Sequence, residues 1–205
     1  MKYNSIIILG APGSGKGTQG KALGALPEFF HCACGNVFRS INSDTKLGQI
    51  FVDYSSKGQL VPDEVTIQLW LNYISECEKN RTFMPQEQSL VLDGIPRNLN
   101  QAKLLDSFIQ VQMTFHLRCS SKEELVARIR RRALKEKRHD DALEHVIFQR
   151  LNVYEMESQP LLTHYSRLNH IDALQTALAI PEPHLTHSPD SSISRILPFS
   201  EESNK

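Results

Sequence analysis

Charge of one sign and long hydrophobic runs are both missing from this sequence. Lysine and arginine together number 23, as do aspartate and glutamate, so there is no basic excess of the kind that nucleic-acid-binding proteins direct at phosphate backbones. The longest apolar stretches cover only a few residues, and the N-terminus lacks the apolar segment of a signal peptide. We therefore expect no nucleic-acid partner, no membrane association and a cytoplasmic location.

Cysteine is also scarce. There are four cysteines, and only Cys32 and Cys34 lie close together in the sequence. A Cys-x-Cys pair without a second pair is a poor zinc motif, because structural zinc needs four nitrogen or sulfur ligands. We expect reduced, half-buried thiols, no zinc, and no metal site built from protein side chains alone.

The length and the order of the patterns predict an α/β fold. A chain of 205 residues has room for one domain with a substantial core and small insertions. Short runs rich in β-branched residues alternate with helical patterns, which predicts an open parallel sheet flanked by helices. Prolines and serines dominate after residue 180, so we expect a domain over 1–180 and an irregular tail over 181–205. The predicted strands are Ser5–Leu9, Ser89–Leu92, Met113–Leu117 and His170–Ala173.

Helix signals fill the segments between these strands. Pro62, Asp63 and Glu64 combine a proline near a helix start with acids in the first turn. Ser120–Glu123 has the pattern of a capping box, and the break Gly58–Pro62 separates two helical regions. The predicted helical segments are Lys16–Ala25, short helices within 36–57, a helix from Pro62 onward, Lys122–Leu134, and a mostly helical 141–165.

The most specific motif follows the first predicted strand and reads Gly10-Ala11-Pro12-Gly13-Ser14-Gly15-Lys16-Gly17-Thr18. It fits the phosphate-loop pattern G-x-x-x-x-G-K-[ST], except that Gly17 follows the lysine and Thr18 comes one place late. Glycines let backbone N–H groups point inward, and a helix N-terminus adds positive potential. We expect Lys16 to supply a point charge to phosphates and Thr18 a hydroxyl near a metal. The alternative is a glycine-rich turn that binds nothing.

Asp93 and a set of dispersed arginines extend this hypothesis. Asp93 ends the second predicted strand, where a carboxylate can hold Mg²⁺ through water, although an aspartate there can also simply form a turn. Phosphoryl transfer needs cations around the moving group, and guanidinium suits that role. The arginines in question are Arg39, Arg97, Arg128, Arg132, Arg138 and Arg150. For Arg130, Arg131, Lys135 and Lys137 a solvated basic helix face or a nucleic-acid patch is the better interpretation.

Together these motifs resemble the adenylate kinases and their UMP/CMP kinase relatives, in which Gly-Thr after the lysine is the rule. The matches follow the family's order over about residues 5–173. The resemblance implies a P-loop NTPase-type parallel sheet, with a nucleoside-monophosphate-binding insertion at about 33–63 and a short, zinc-free lid at about 131–140. The matching segments are Gly10–Gln19, Cys34–Arg39, Gly58–Pro62, Asp93–Arg97 followed by Gln101, Arg128–Arg132, and Arg138–Asp141 through Arg150.

The resemblance also implies a reaction and its residues: Mg²⁺-dependent, reversible transfer of the γ-phosphoryl group of ATP to AMP, giving two ADP, by a monomer. The implied ATP-binding residues are Gly13, Ser14, Gly15, Lys16, Gly17, Thr18, Arg128 and Arg132. The implied AMP-binding residues are Cys34, Arg39, Gln59, Leu60, Val61, Gly94, Arg97, Gln101, Arg138 and Arg150. The implied catalytic residues are Lys16, Arg97, Arg128, Arg138 and Arg150, with Asp93 (through water) and Thr18 next to the metal.

Two positions depart from the family pattern near the acceptor. Cys34 stands where threonine or serine is usual, and Asn36 replaces an acid. A thiol is a poorer hydrogen-bonding group than a hydroxyl, and the loss of the acid removes a charge. These departures leave open a nucleotide-binding module that has lost catalysis.

The acceptor base and one lid position also stay open. Gln101 resembles the adenylate kinases, whereas Asn98 is also met in the UMP/CMP kinases, so we expect AMP and keep a UMP/CMP-type kinase as the alternative. One residue too many precedes Arg150, so either Arg138 or His139 takes the first bridging position. We prefer Arg138, because histidine is only partly charged near neutrality.

Overall fold

Five parallel strands form the central sheet. The computed structural model of the chain describes residues 2–119, 121–136 and 143–165, together with the backbone of 168–172. The strand order is β2-β3-β1-β4-β5, and each neighbouring pair is parallel. The strands are β1 Tyr3–Gly10, β2 Phe29–Ala33, β3 Ser89–Asp93, β4 Ile109–Arg118 and β5 Leu168–Asp172. The predicted α/β class with a parallel sheet flanked by helices is confirmed.

Helices connect the strands. They are α1 Lys16–Leu23, α2 Cys34–Arg39, α3 Lys46–Ser56, α4 Asp63–Lys79, α5 Leu99–Leu105, α6 Lys122–Glu136, α7 Glu144–Val153 and α8 Leu161–His164. A π-helical turn, Tyr154–Ser158, continues α7. Among these described helices, none is long and apolar enough to cross a membrane.

The core lies on both faces of the central strands. Because helices cover both faces, β1 and β3 are buried along most of their length and carry nearly continuous apolar residues. On one face Trp70 and Ile74 of α4 join the cluster that contains Ile7 and Leu92. A separate cluster of Leu125, Ile129, Ile147 and Leu151 forms where α6 meets α7.

Several predicted elements differ from the structure. Strand β2 and helix α5 were not expected, because both are short and neither shows a clear period. The N-cap of α6 is Ser121, whose Oγ accepts the N–H of Glu124 at 3.1 Å, so the capping signal lies one residue later than predicted. Helix α1 ends at Leu23, two residues earlier than predicted. The predicted cap residue Ser120, Ala173 and the predicted tail 181–205 lie outside the described residues.

The topology places two of the predicted site segments at one edge of the sheet. From β1 the chain passes to β2 on one side, and from β3 it crosses to β4 on the other side. Ligands of such sheets bind beside the carboxyl ends of strands where the winding changes direction. At that edge β1 runs into the glycine-rich loop, while β3 ends at Asp93, which is paired in register with Ile8.

Candidate active site

A cavity of about 1070 Å³ lies at this edge of the sheet and gathers residues that are far apart in the sequence. Among the described residues that line it are nine lysines and arginines and two carboxylates, so its potential is strongly positive. The basic residues are Lys16, Lys21, Arg39, Arg97, Arg128, Arg131, Arg132, Lys135 and Arg150; the acids are Asp93 and Glu136. Such a cavity suits a ligand with several negative charges.

The glycine-rich loop forms the floor of the cavity. Gly10 and Gly13 have φ angles of +148° and +82°, a region that favours glycine. A Cβ atom would lie 2.7 Å from the Leu117 carbonyl oxygen at Gly10 and 2.8 Å from the Leu125 carbonyl oxygen at Gly13. The loop can therefore pack against β4 and α6 only because these positions lack side chains. The predicted loop residues Gly13, Ser14, Gly15, Lys16, Gly17 and Thr18 all line the cavity.

Lys16 folds back onto its own loop. Its Nζ donates hydrogen bonds to the carbonyl oxygens of Gly10 at 2.6 Å and Ala11 at 3.0 Å. Burial lowers the pKa of Lys16 to about 8, and Arg97 is among the nearby cations that lower this pKa further, while Asp93 opposes the shift. An anion in the cavity would replace two weak acceptors with charged oxygens.

Asp93 and His31 lie next to each other beside the loop. The distance from His31 Nε2 to Asp93 Oδ2 is 3.7 Å, which is an electrostatic contact and too long for a hydrogen bond. Burial alone would raise the pKa of Asp93, but His31, Lys16 and Arg97 lower the pKa of this carboxyl below its ordinary value. Asp93 is therefore ionised at neutral pH.

His31 is a lining residue that the sequence reasoning missed. It comes from the unexpected strand β2. Its ring packs against Gly20 of α1 and its Cβ against Gly24, the residue after α1, and at both glycines a Cβ atom would overlap the histidine side chain. Its Nε2 is buried without a hydrogen-bond partner among the described residues. The signal in the sequence was the pair Gly20 and Gly24, four residues apart in the predicted helix Lys16–Ala25. Such a pair indicates that another element packs closely against that face of the helix.

Three arginines that were predicted to bind the acceptor nucleotide also line the cavity. Arg39 Nη2 donates to Asn36 Oδ1 at 2.9 Å, and Arg97 Nε donates to the Gly94 carbonyl oxygen at 2.9 Å. Arg150 passes Gly58, where a Cβ atom would lie 3.2 Å from Arg150 Cγ. The predicted acceptor residues Gln59, Leu60 and Gly94 line the same cavity.

Helix α6 supplies the remaining predicted cations. Arg128 Nε pairs with Glu124 Oε1 at 2.8 Å, one helical turn away, and Arg132 lines the cavity one turn further on. Arg131 and Lys135, for which a solvated face was preferred, also line it. Arg130 is about half exposed and joins α6 to α7 through Glu144 at 2.8 Å, as expected for a surface residue.

Three predicted acceptor residues lie behind this lining in the described conformation. Cys34 is 1% exposed, its sulfur lies 3.8 Å from the sulfur of Cys32, and burial raises the pKa of the Cys34 thiol. Gln101 is 1% exposed and uses both side-chain polar atoms within the protein. Val61 is likewise buried. The contacts of these three with a base stay predictions, and Arg138, His139 and Lys137 lie outside the described residues.

In the described part of the chain, no group of three or more histidine, cysteine, aspartate or glutamate side chains is placed to hold a metal ion. Asp93 and Thr18 are the oxygen-bearing residues next to the loop that were predicted to lie near a metal.

Comparisons with known proteins agree on one family. A family model described as adenylate kinase matches residues 8–170. An adenylate kinase of Mycoplasma pneumoniae is 30% identical over 207 residues, covering 87% of this chain and 94% of that protein. An adenylate kinase of a Cyanothece species is 38% identical over 178 residues, covering 83% and 87%. An adenylate kinase of Mycolicibacterium paratuberculosis is 36% identical over 178 residues, covering 83% and 91%.

Proposed function

The chain belongs to the adenylate kinase family, and from that premise we propose that it transfers the γ-phosphoryl group of ATP reversibly to AMP, giving two ADP. The observation that carries the proposal is the single cavity that brings the glycine-rich loop together with Arg39, Arg97 and Arg150. These arginines come from three separate elements, and two nucleotides whose phosphates meet there would present the charges that they complement.

We assign the donor nucleotide to the loop and α6. The backbone of Gly13–Thr18 and the ammonium of Lys16 bind the β- and γ-phosphates of ATP. Arg128 lies against the adenine, with its guanidinium held by Glu124, and Arg132 contacts the phosphates. This assignment is supported by the position of all these residues on one cavity.

We assign the acceptor nucleotide to the insertion at about 33–63 and to the segment after β3. Arg39 and Arg97 bind the acceptor phosphate, and Arg150 bridges the donor and acceptor phosphates, together with Arg138 as a further prediction. Gln59 and Leu60 line the base pocket, and Gly94, which lines the same cavity, is a further AMP-binding residue. Cys34, Val61 and Gln101 stay proposed as base contacts behind this lining.

The residues present fit a magnesium ion that arrives with ATP. Mg²⁺ prefers oxygen ligands and usually keeps several waters, so one ionised carboxylate beside the phosphates suffices. Asp93 is ionised and lies next to the loop, with its Oδ2 3.5 Å from the point where a Cβ atom on Gly17 would lie. Asp93 would hold the ion through water, with Thr18 nearby, and the ion would neutralise charge on the phosphates.

The chemistry needs no protein nucleophile. The acceptor phosphate oxygen attacks the γ-phosphorus directly, the bond from that phosphorus to the β,γ-bridging oxygen breaks, and ADP leaves with the electron pair. The arginines and Lys16 stabilise the charge that spreads over the transferring group. A short lid at about 131–140, a prediction in part outside the described residues, would exclude water that competes for the phosphoryl group. A monomeric, cytoplasmic enzyme also stays a prediction.

One observation weakens the UMP/CMP alternative. Asn98 favoured that alternative, but its Oδ1 caps α5 by accepting the N–H of Gln101 at 2.8 Å, and its Nδ2 donates to Asp63 at 2.9 Å. Asn98 therefore has a structural reason that is independent of the acceptor base.

The decisive experiment measures ADP formation by purified protein from ATP with AMP, CMP, UMP or GMP, with and without Mg²⁺. We expect AMP to be used best and a chelator to abolish turnover that added Mg²⁺ restores. Best turnover with a pyrimidine nucleotide would replace AMP by UMP or CMP. ATP binding by calorimetry without turnover on any acceptor would indicate a module that has lost catalysis.

A further inference from the structure

The backbone N–H and the backbone C=O of Arg97 are each held by a hydrogen bond, and the two bonds come from different helical regions. Its N–H donates to Gln101 Oε1 at 2.7 Å, and its carbonyl oxygen accepts from Ser158 Oγ at 2.5 Å. The guanidinium is directed as well, since Arg97 Nε donates to the Gly94 carbonyl oxygen at 2.9 Å. The side chain thus starts from a backbone that is fixed at both ends.

Ser158 reaches Arg97 because of the π-helical turn. Within a helix a serine hydroxyl usually bonds back to a carbonyl of its own preceding turn. Here the turn is widened, with the N–H of Gln159 bonded to the Tyr154 carbonyl oxygen at 3.0 Å, and the Ser158 hydroxyl instead crosses to a residue 61 positions earlier. Ser158 also lines the cavity. Widened turns of this kind occur often at functional sites.

Two sets of hydrogen bonds therefore hold Arg97, and we call them arms: the first is the bond from Ser158, and the second runs from Asp63 through Gln101. The Nε2 of Gln101 donates to Asp63 Oδ1 at 2.8 Å, so the carboxylate fixes which way the amide faces and leaves Oε1 for the Arg97 N–H. Asn98 and Asn100 donate to the same carboxylate at 2.9 and 2.8 Å. Asp63 opens α4, directly after the segment that lines the acceptor side.

We propose that Ser158 and Asp63 are positioning residues for Arg97, and that they direct its guanidinium to the acceptor phosphate by fixing its backbone on both sides of the Cα atom. This inference rests on the proposed function and adds residues to it. An arginine side chain is long, so a small rotation of the backbone at Arg97 moves the guanidinium far enough to weaken a bidentate phosphate contact. The two arms come from the helix that follows the acceptor segment and from the turn after the helix that carries Arg150.

Loss of either arm should therefore affect the acceptor more than the donor. For Ser158→Ala we expect KM for AMP to rise about three- to tenfold, the range expected for one hydrogen bond, with KM for ATP unchanged. A purely structural role would lower the unfolding midpoint without separating the two substrates.

The experiment compares Ser158→Ala with Ser158→Thr, which keeps the hydroxyl, and with Ser56→Ala. Ser56 is exposed on α3, and its hydroxyl only bonds the Asp53 carbonyl oxygen at 3.1 Å within the same helix. Steady-state KM for each substrate, and the AMP dissociation constant from calorimetry, are measured for all three. We expect the threonine variant and the Ser56 control to match the unsubstituted protein. An unchanged AMP constant in Ser158→Ala, or equal losses for ATP and AMP, would overturn the proposal.

Asp63→Asn tests the second arm. An amide in place of the carboxylate disrupts the orientation of Gln101, so we expect the same selective loss for AMP. Because Gln101 is also proposed as a base contact, binding of ribose 5-phosphate, which has no base, is measured beside AMP: a matching loss supports the positioning of Arg97, and an unchanged constant overturns it for this arm. If Ser158→Ala does not fold, Ser158→Cys, nearly isosteric but a weak donor, repeats the first test. Unsubstituted protein that binds AMP without turnover would defeat the proposed function, yet the calorimetric constants would still support or overturn the positioning of Arg97.

Discussion

Replacement of Lys16 by methionine should stabilise the nucleotide-free protein while it abolishes phosphoryl transfer. The ammonium lies in a cavity whose other cations repel it, and burial lowers its pKa from 10.5 to about 8. The folded state therefore disfavours the charged form that the unfolded chain keeps. Methionine preserves most of the side-chain length without the charge, so it removes that cost along with the contact to phosphate.

The size of the effect follows from the pKa. At 1.36 kcal/mol per pKa unit, the whole shift corresponds to about 3 kcal/mol. The side chain is only partly buried by surface area, so water reduces the effect, and methionine also loses the two hydrogen bonds from Nζ to the Gly10 and Ala11 carbonyl oxygens. We therefore expect a net gain of about 1 kcal/mol at pH 7. The gain is complete below pH 8, fades as the folded-state lysine loses its proton above that pH, and vanishes near pH 10.5.

Urea unfolding between pH 7 and pH 9.5 measures this gain. The matched control is Lys57→Met, because Lys57 is exposed and pairs with Asp53 at 2.6 Å on α3. We expect the control to change the unfolding free energy by less than about 0.5 kcal/mol, with no trend in pH. A Lys16→Met protein that is less stable than the unsubstituted chain at pH 7, or whose gain does not shrink with pH, would refute the reasoning. Near-normal turnover would refute the role of Lys16.

Three further predictions test the packing around the site. Gly20→Ala should lower the unfolding free energy by about 1–3 kcal/mol in urea, because the new methyl overlaps the His31 ring; a gain from helix propensity alone would contradict this. Asn98→Ala should cost about 1–2 kcal/mol, since it removes the cap of α5 and a bond to Asp63, and an unchanged unfolding midpoint would contradict that role. A thiol reagent should modify the half-buried Cys119 of the native protein much faster than the three buried cysteines. If those three cysteines reacted equally fast before and after denaturation, they would not be buried in the native protein.

The parts of the fold that the sequence predicts are those with strong local signals. The run Ser5–Leu9 and the segment Ser89–Leu92 are apolar enough to identify buried parallel strands. Strand β2 was not predicted because His31 interrupts its apolar pattern. The His31 ring fits there only because Gly20 of α1 has no side chain. Helix α5 was not predicted because it has only seven residues and depends on its N-cap, Asn98. The side chain of Asn98 is held in turn by Asp63 of α4, to which its Nδ2 donates.

The sequence identified the residues proposed to bind phosphate, which do line the cavity, more readily than it identified residues for the base. Glycine spacing and the following lysine specify a loop by themselves, and arginines are recognisable as phosphate ligands wherever they stand. Cys34 illustrates the opposite case. Cys34 follows β2 directly. Cys32 of β2 is paired in register with Leu92, and in this register the thiols of Cys32 and Cys34 both point into the core. Which way a side chain points at a strand end depends on this register, which no local pattern reveals.

The charge distribution explains why the reaction can be inferred while the base stays open to assay. The chain is neutral overall, with 23 basic and 23 acidic residues, yet nine lysines and arginines and two carboxylates face the cavity among the described residues. Arg97, Arg132 and Arg150 each lower the pKa of Lys16, so the cations repel one another, and the proposed polyphosphate ligand would supply the missing counter-charge. The part of the cavity that we propose for the base is lined by Gly58, Gln59 and Leu60, which carry no charge. A charged ligand is thus specified by a large electrostatic imbalance, whereas the base is distinguished only by hydrogen bonds worth about 1 kcal/mol each.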